Sequence, residues 1–175
     1  KKSPIMLEFS HGEINFFGIE NIVDLVENAR EEAQIPILLN LDHAPDYQSV
    51  KEAINAGFEL VHFDGSKHSF DENIQITKKI VDEANPKGLL VEGEVDKVAG
   101  ASEVHTENID FEELRKGYSD PEKTKRFVDE TGVDTYAAVF GNVHGTFPIQ
   151  PPLDFDLLKR IREMLPNTFL SMHGG

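Results

Sequence analysis

Six short stretches of this 175-residue sequence carry groups able to bind a metal or move a proton. They are Ser10-His11, Asp42-His43, Asp64-Gly65-Ser66, Glu92-Gly93-Glu94, Gly141-Asn142-Val143-His144-Gly145 and His173-Gly174-Gly175. The chain has seven histidines and no cysteine, so a transition metal must be held mainly by imidazole and carboxylate. One histidine after one strand means little. Three of them, His43, His144 and His173, each follow a predicted strand, so they can converge above one sheet. Three imidazoles around one open coordination position make a catalytic zinc site. A carboxylate beside such a site can carry a proton during catalysis. The residues alone therefore point to metal-assisted chemistry. His62 falls inside a strand and reads as a packing residue or one that faces a neighbouring helix. His68 and His105 read as surface residues, and His11 is ambiguous.

These residues need a scaffold, and the sequence supplies an alternation. Apolar runs at 4–9, 36–41, 58–63, 88–91 (continuing to Glu94), 133–140 and 168–172 read as strands. Helical spacing covers 21–33, with Ile22, Val23, Leu25, Val26 and Ala29 on one side. Asp46 caps a helix over 47–56 that stops at Gly57. Ser69-Phe70-Asp71-Glu72 reads as a capping box opening a helix to Ala84. Asp120-Pro121 starts another helix, and 153–165 forms the last. Strands alternating with helices imply a parallel sheet, either doubly wound or most of an eight-fold barrel. No glycine-rich dinucleotide fingerprint follows the first strand, which weakens the doubly wound option. In both folds ligands collect at the carboxyl ends of the strands, where the six stretches fall. The polar segment 96–119 exceeds the usual connection of about 2–6 residues and reads as a mobile lid.

Composition limits the partners. With 39% hydrophobic residues the chain can build one sizeable core, read as a single domain over 1–175. The net charge of −15 repels phosphate backbones, which argues against nucleic-acid and anionic-membrane binding. A small phosphorylated ligand stays compatible, because a metal can reverse the field inside one cleft. No apolar run is long enough to span a bilayer, and the first residues do not form a signal peptide. The lack of cysteine suits a cytoplasmic setting.

The quoted stretches, above all Leu41-Asp42-His43, Asp64-Gly65-Ser66, Val91-Glu92-Gly93-Glu94, Gly141-Asn142-Val143-His144-Gly145 and His173-Gly174-Gly175, resemble the class II, zinc-dependent fructose- and tagatose-bisphosphate aldolases in order and spacing. The resemblance runs along nearly the whole chain. It implies a (β/α)8 TIM barrel, of which this chain covers about strands 2 to 7. It implies that His43, His144 and His173 hold a catalytic Zn2+ that polarises the ketose carbonyl. Asp42 would be the acid/base at the hydroxyl of the cleaved carbon. Asp64 and Glu94 match positions that hold a second divalent or monovalent cation, although Asp64-Gly65 reads equally as a turn. Glu92, two residues before Glu94, would face the same side as a buried or bridging carboxylate. Gly145, Gly174 and Gly175 match glycines whose backbone approaches a substrate phosphate, and Ser10 a serine that contacts substrate. Such proteins are typically cytosolic homodimers or homotetramers.

Several positions depart from the family pattern. Glu103 stands near, but about one place off, a glutamate that shuttles the second proton. Asp96 replaces a usual glycine, and Phe147 is followed by Pro148 where a lysine is common. The flanking first and eighth strands are missing from the span, so residues 1–175 alone are expected not to be a competent aldolase. The leading expectation is a lyase that cleaves fructose or tagatose 1,6-bisphosphate to dihydroxyacetone phosphate and an aldehyde. The alternatives are a family member that binds metal and sugar phosphate without turnover, and a metal-dependent hydrolase on the same barrel.

Overall fold

The computed structural model describes residues 3–33 and 35–174. In chain order the elements are β1 (Ile5–Ser10), α1 (His11–Phe17), α2 (Ile19–Glu32), β2 (Ile37–Ala44), α3 (Tyr47–Ala56), β3 (Leu60–Asp64), α4 (Phe70–Ala84), β4 (Leu90–Glu94), β5 (Ala99–Val104), α5 (Phe111–Lys116), α6 (Pro121–Thr131), β6 (Thr135–Ala137), β7 (Val143–Thr146), α7 (Phe155–Met164) and β8 (Phe169–Ser171). Six strands pair in parallel in the order β1-β2-β3-β4-β6-β8, while β5 and β7 form a separate parallel pair.

The six-stranded sheet is curled. Strands four places apart in a flat sheet would lie about 19 Å from one another. Yet His173, just past β8, brings its Nδ1 within 3.5 Å of Asp42 on β2. The Ser171 hydroxyl on β8 also donates to Glu92 on β4, with β6 between them. The chain thus forms an arc of a parallel β/α barrel.

Alternation along each strand sorts the residues between two faces. Leu39, Leu41, Val61, Phe63 and Val91 join a core with Val26, Val50, Ile54, Ile80 and Phe127 from the helices. Gly93 belongs to this outer face. A Cβ there would sit 2.7 Å from the Phe127 ring, so α6 packs directly on the β4 backbone. The alternate residues Asn40, His62, Glu92 and Glu94 are buried on the concave side and are polar.

Helix starts follow the expected chemistry. Asp46, Asp120 and Asp154 accept from the backbone N–H groups of Ser49, Lys123 and Leu157. At Ser69 only the serine half of the expected box forms, to the N–H of Glu72. The reciprocal box is at Ser10 and Glu13, opening α1, a helix missed in the sequence because it spans fewer than two turns. The 96–119 segment also differs from expectation. It holds β5, which pairs with β7, and α5, capped by Asp110. Only Leu114 of α5 is buried, so no apolar periodicity marked it.

Candidate metal centre

The centre begins with a break in the sheet. β2 and β3 are in register at Leu41–Val61, and again at Ala44–Phe63. Asp42 and His43 therefore stand against His62 alone, the two-against-one count of a β-bulge. In an unbroken strand Asp42 and His43 would point to opposite faces. Here both turn to the concave side, with Asp42 Oδ1 4.0 Å from His43 Nε2. His43 takes φ 47°, the only positive φ outside glycine among the described residues. Such a conformation costs about 1–3 kcal/mol and persists only where the surroundings hold it.

Three imidazoles meet around that of His43. Its ring centroid lies 4.6 Å from that of His62, 4.6 Å from His173 and 5.2 Å from His144. His43 Nδ1 is 3.4 Å from both Asp64 Oδ2 and Glu94 Oε2. Its Nε2 is buried and has no hydrogen-bond partner. His173 Nε2 lies 2.8 Å from Glu92 Oε1, which leaves Nδ1 turned towards Asp42. Asn142 fixes the same residue from behind by donating to the His173 carbonyl at 2.9 Å. Two sets of donor atoms fall within 4.8 Å of one another: Asp42, His43, His62 and His173, and His43, Asp64 and Glu94.

The charges around these rings are unbalanced towards negative. Burial disfavours a charged His62, but the Asp42 and Glu94 contacts and the Glu92 charge outweigh it and push the group up to about 10. His173 rises in the same way, with Glu92 overcoming its burial. Asp42, Asp64 and Glu92 lie below the ordinary carboxylate range. In each, burial is outweighed, chiefly by His62 for Asp42, by His43 and Ser66 for Asp64, and by His173 for Glu92. His144 is lowered, by burial and then by the neighbouring His43 charge, so it favours the neutral form that a ligand needs. A pocket that raises His62 and His173 and lowers Asp42, Asp64 and Glu92 is one in which a divalent cation is favoured.

The pattern of the family described as fructose-bisphosphate aldolase class-II matches residues 1–175. The chain belongs to the class II fructose-bisphosphate aldolase family. It is 35% identical over 178 residues to a fructose-bisphosphate aldolase of Helicobacter pylori, covering 100% of this chain and 56% of that protein. It is 34% identical over 174 residues to a sulfofructosephosphate aldolase of Alkalicoccus urumqiensis, covering 99% of this chain and 59% of that one. In structure it is similar to the YdjI aldolase of Escherichia coli, with a TM-score of 0.82, 28% identity, and coverage of 99% of this chain and 58% of that one. The chain thus spans little more than half the length of these aldolases.

The aldolase family is metal-dependent, and the donor set here suits a metal. The unpartnered, buried Nε2 of His43 is a lone-pair donor with no other use. His43 and His173 sit in the tight cluster, and His144, on β7, stands beside it without joining either donor set. A cleft of about 630 Å³ opens over the centre, lined by Glu8, Asp42, Glu103, His144, Gly145 and His173 among others. None of its described lining residues is lysine or arginine.

The remaining expected residues are placed as follows. Glu103 lies on β5 at the cleft rim, with a side chain 69% exposed and 3.8 Å from His105. Ser10 caps α1, donates its hydroxyl to Glu13 and is not among the residues lining the cleft. A Cβ at Gly145 would meet the Ala101 carbonyl oxygen at 2.3 Å, and one at Gly174 the Val143 carbonyl oxygen at 2.3 Å. Close main-chain contact therefore already requires both glycines, apart from any phosphate. Gly175 lies outside the described residues. Glu92 is the bridging carboxylate that its spacing from Glu94 suggested.

Two sequence readings need correction. His62 neither packs in the apolar core nor faces a helix; it is wholly buried in the polar cluster. Its spacing of two from Asp64 was the available signal, since both then share a face. His105 is not a simple surface residue. It is half-buried and stacked on Phe147, with centroids 4.0 Å apart and planes within 9°.

Proposed function

We propose that the chain is the metal-carrying part of a class II aldolase that reversibly cleaves a ketose bisphosphate to dihydroxyacetone phosphate and an aldehyde. The observation that carries this is the buried, unpartnered Nε2 of His43, encircled by the His62, His144 and His173 rings in a member of this family. His43, His144 and His173 are the proposed zinc ligands. Zinc, when bound there, supplies Lewis-acid polarisation of a carbonyl oxygen.

The chain's own residues do the rest. Glu92 fixes the His173 ring by its 2.8 Å contact to Nε2, as carboxylates commonly do behind a ligating histidine. Asp64 and Glu94 steady His43 through Nδ1, or hold a second cation with it. Asp42, low in pKa and open to the cleft, takes and returns the proton of the hydroxyl on the cleaved carbon. Glu103 is the proposed second proton carrier and reaches substrate from its exposed place at the cleft rim. Neither lysine nor arginine is among the described residues lining the cleft, so backbone N–H groups at Gly145, Gly174 and Gly175 are the proposed phosphate donors. Ser10 is the proposed further contact to substrate.

The greater length of the relatives, with Phe155 and Phe169 exposed at the β8 edge, supports two further strands that close the barrel. The proposed setting is cytoplasmic, as a homodimer or homotetramer. No described helix is long and apolar enough to cross a membrane.

The test is cleavage of fructose and tagatose 1,6-bisphosphate by the full-length protein, with zinc and after chelation. Cleavage should require the metal. Asp42→Ala should bind metal as the parent does while turnover falls by about 10²–10⁴-fold. Unchanged turnover at saturating substrate would assign the proton transfer elsewhere. Metal binding with no cleavage of either sugar would favour a family member without turnover.

A further inference from the structure

We propose that His62 is a positioning residue that holds the strained His43 backbone, and through it the His43 imidazole, in place for the metal. The proposal rests on the reading of His43 as a ligand.

The bulge interrupts the β2–β3 ladder between Leu41 and Ala44, so the N–H of His43 lacks a regular strand partner. It donates instead to Nδ1 of His62 at 3.2 Å. His62 is the single residue opposite the bulge and is fully buried. A ring nitrogen that accepts an N–H carries no proton of its own, so when a bound cation offsets the carboxylates and His62 is neutral its proton sits on Nε2. Without the cation the same carboxylates favour the doubly protonated ring, whose Nδ1–H faces Asp42 Oδ1 at 3.4 Å. Nε2 lies 3.2 Å from Glu94 Oε2, the same oxygen that is 3.4 Å from His43 Nδ1. One imidazole therefore touches both the His43 main chain and the carboxylate beside the His43 ring. Asp42 Oδ1, at 3.4 Å from Nδ1, is in the cation-bound state a close neighbour whose charge is balanced by the cation. An apolar side chain of similar volume would fill the space and leave the His43 N–H without an acceptor. Groups behind a metal ligand commonly set its affinity by fixing its orientation.

Three variants of the full-length protein separate this from simple packing. In His62→Asn the side-chain oxygen falls near the position of Nδ1. In His62→Gln the polar end falls near Nε2, and His62→Leu has neither. Two quantities are read: protection of the His43 amide against hydrogen exchange at saturating Zn2+, and affinity for Co2+ followed by visible absorption. His62→Leu and His62→Gln should lose His43 amide protection and bind Co2+ about 10–100-fold more weakly. His62→Asn should keep the protection and stay close to the parent in affinity. If His62→Leu fails to fold, the Asn and Gln variants decide between them. A Gln variant equal to the parent, or an Asn variant as weak as Gln, overturns this proposal while the aldolase reading stands. A parent protein that does not bind Co2+ overturns both.

Discussion

At His43 two local costs share one cause. The backbone sits at φ 47° and the side chain presents a buried nitrogen without a partner. Strain and unmet hydrogen bonding of this kind collect where a ligand will later be held. Glu92 shows the same logic one layer back. It is almost fully buried, yet stays ionised because His173 and Ser171 face it. Replacing it by glutamine keeps the shape and removes the charge that orients His173. Glu92→Gln should therefore weaken metal affinity by about 10–100-fold with little change in fold. A competitive chelator titration checks this, and parent-like affinity would show that Glu92 is only a buried bridge. Asp42, His43, His144 and His173 were legible in the sequence because each follows an apolar run. His62 was not, because a histidine inside a strand most often packs. Nothing in the Leu41-Asp42-His43-Ala44 run signals a bulge, since no glycine marks the positive φ.

Among the elements, the 96–119 excursion is tied down at both ends by one hydroxyl. Tyr136 on β6 is fully buried; its hydroxyl donates to Asp96 at 3.3 Å and accepts from Thr124 at 3.1 Å. Ser119 lies 3.5 Å from the same oxygen and exchanges two bonds with the Val139 backbone. Asp96, the residue that departs from the family's usual glycine, also pairs with Lys123 at 3.1 Å. Tyr136→Phe keeps the ring and removes this junction. It should cost about 0.5–1.5 kcal/mol in denaturant unfolding. It should also speed amide exchange in β5, the strand that carries Glu103 to the cleft rim. Unchanged exchange across 96–104 would mean that β7 alone holds β5. The core strands and capped helices were readable from apolar runs and from Asp46 and Asp120. α1, β5, α5 and β7 were not. They are short, with few or no buried apolar side chains, and β5 and β7 are defined by pairing with each other.

Across the whole molecule, the curl of one sheet brings the ends of β2, β3, β4 and β8 into one site, to which β7 adds His144. His173, at the far end of the strand order, meets Asp42 only because the sheet bends through β3, β4 and β6. Parallel topology was legible from the alternation of elements, whereas the choice of barrel over a doubly wound sheet came from the family resemblance. With a net charge of −15 and neither lysine nor arginine among the described residues lining the cleft, a bound metal would be the main positive charge near a substrate. The most direct test is the anomalous scattering of zinc in crystals of the full-length protein, recorded on both sides of the zinc edge. The dominant peak should lie about 2.0–2.1 Å from one ring nitrogen each of His43, His144 and His173. A zinc peak held by other residues, or an ordered site with these three rings turned apart and no peak between them, would contradict the proposed centre.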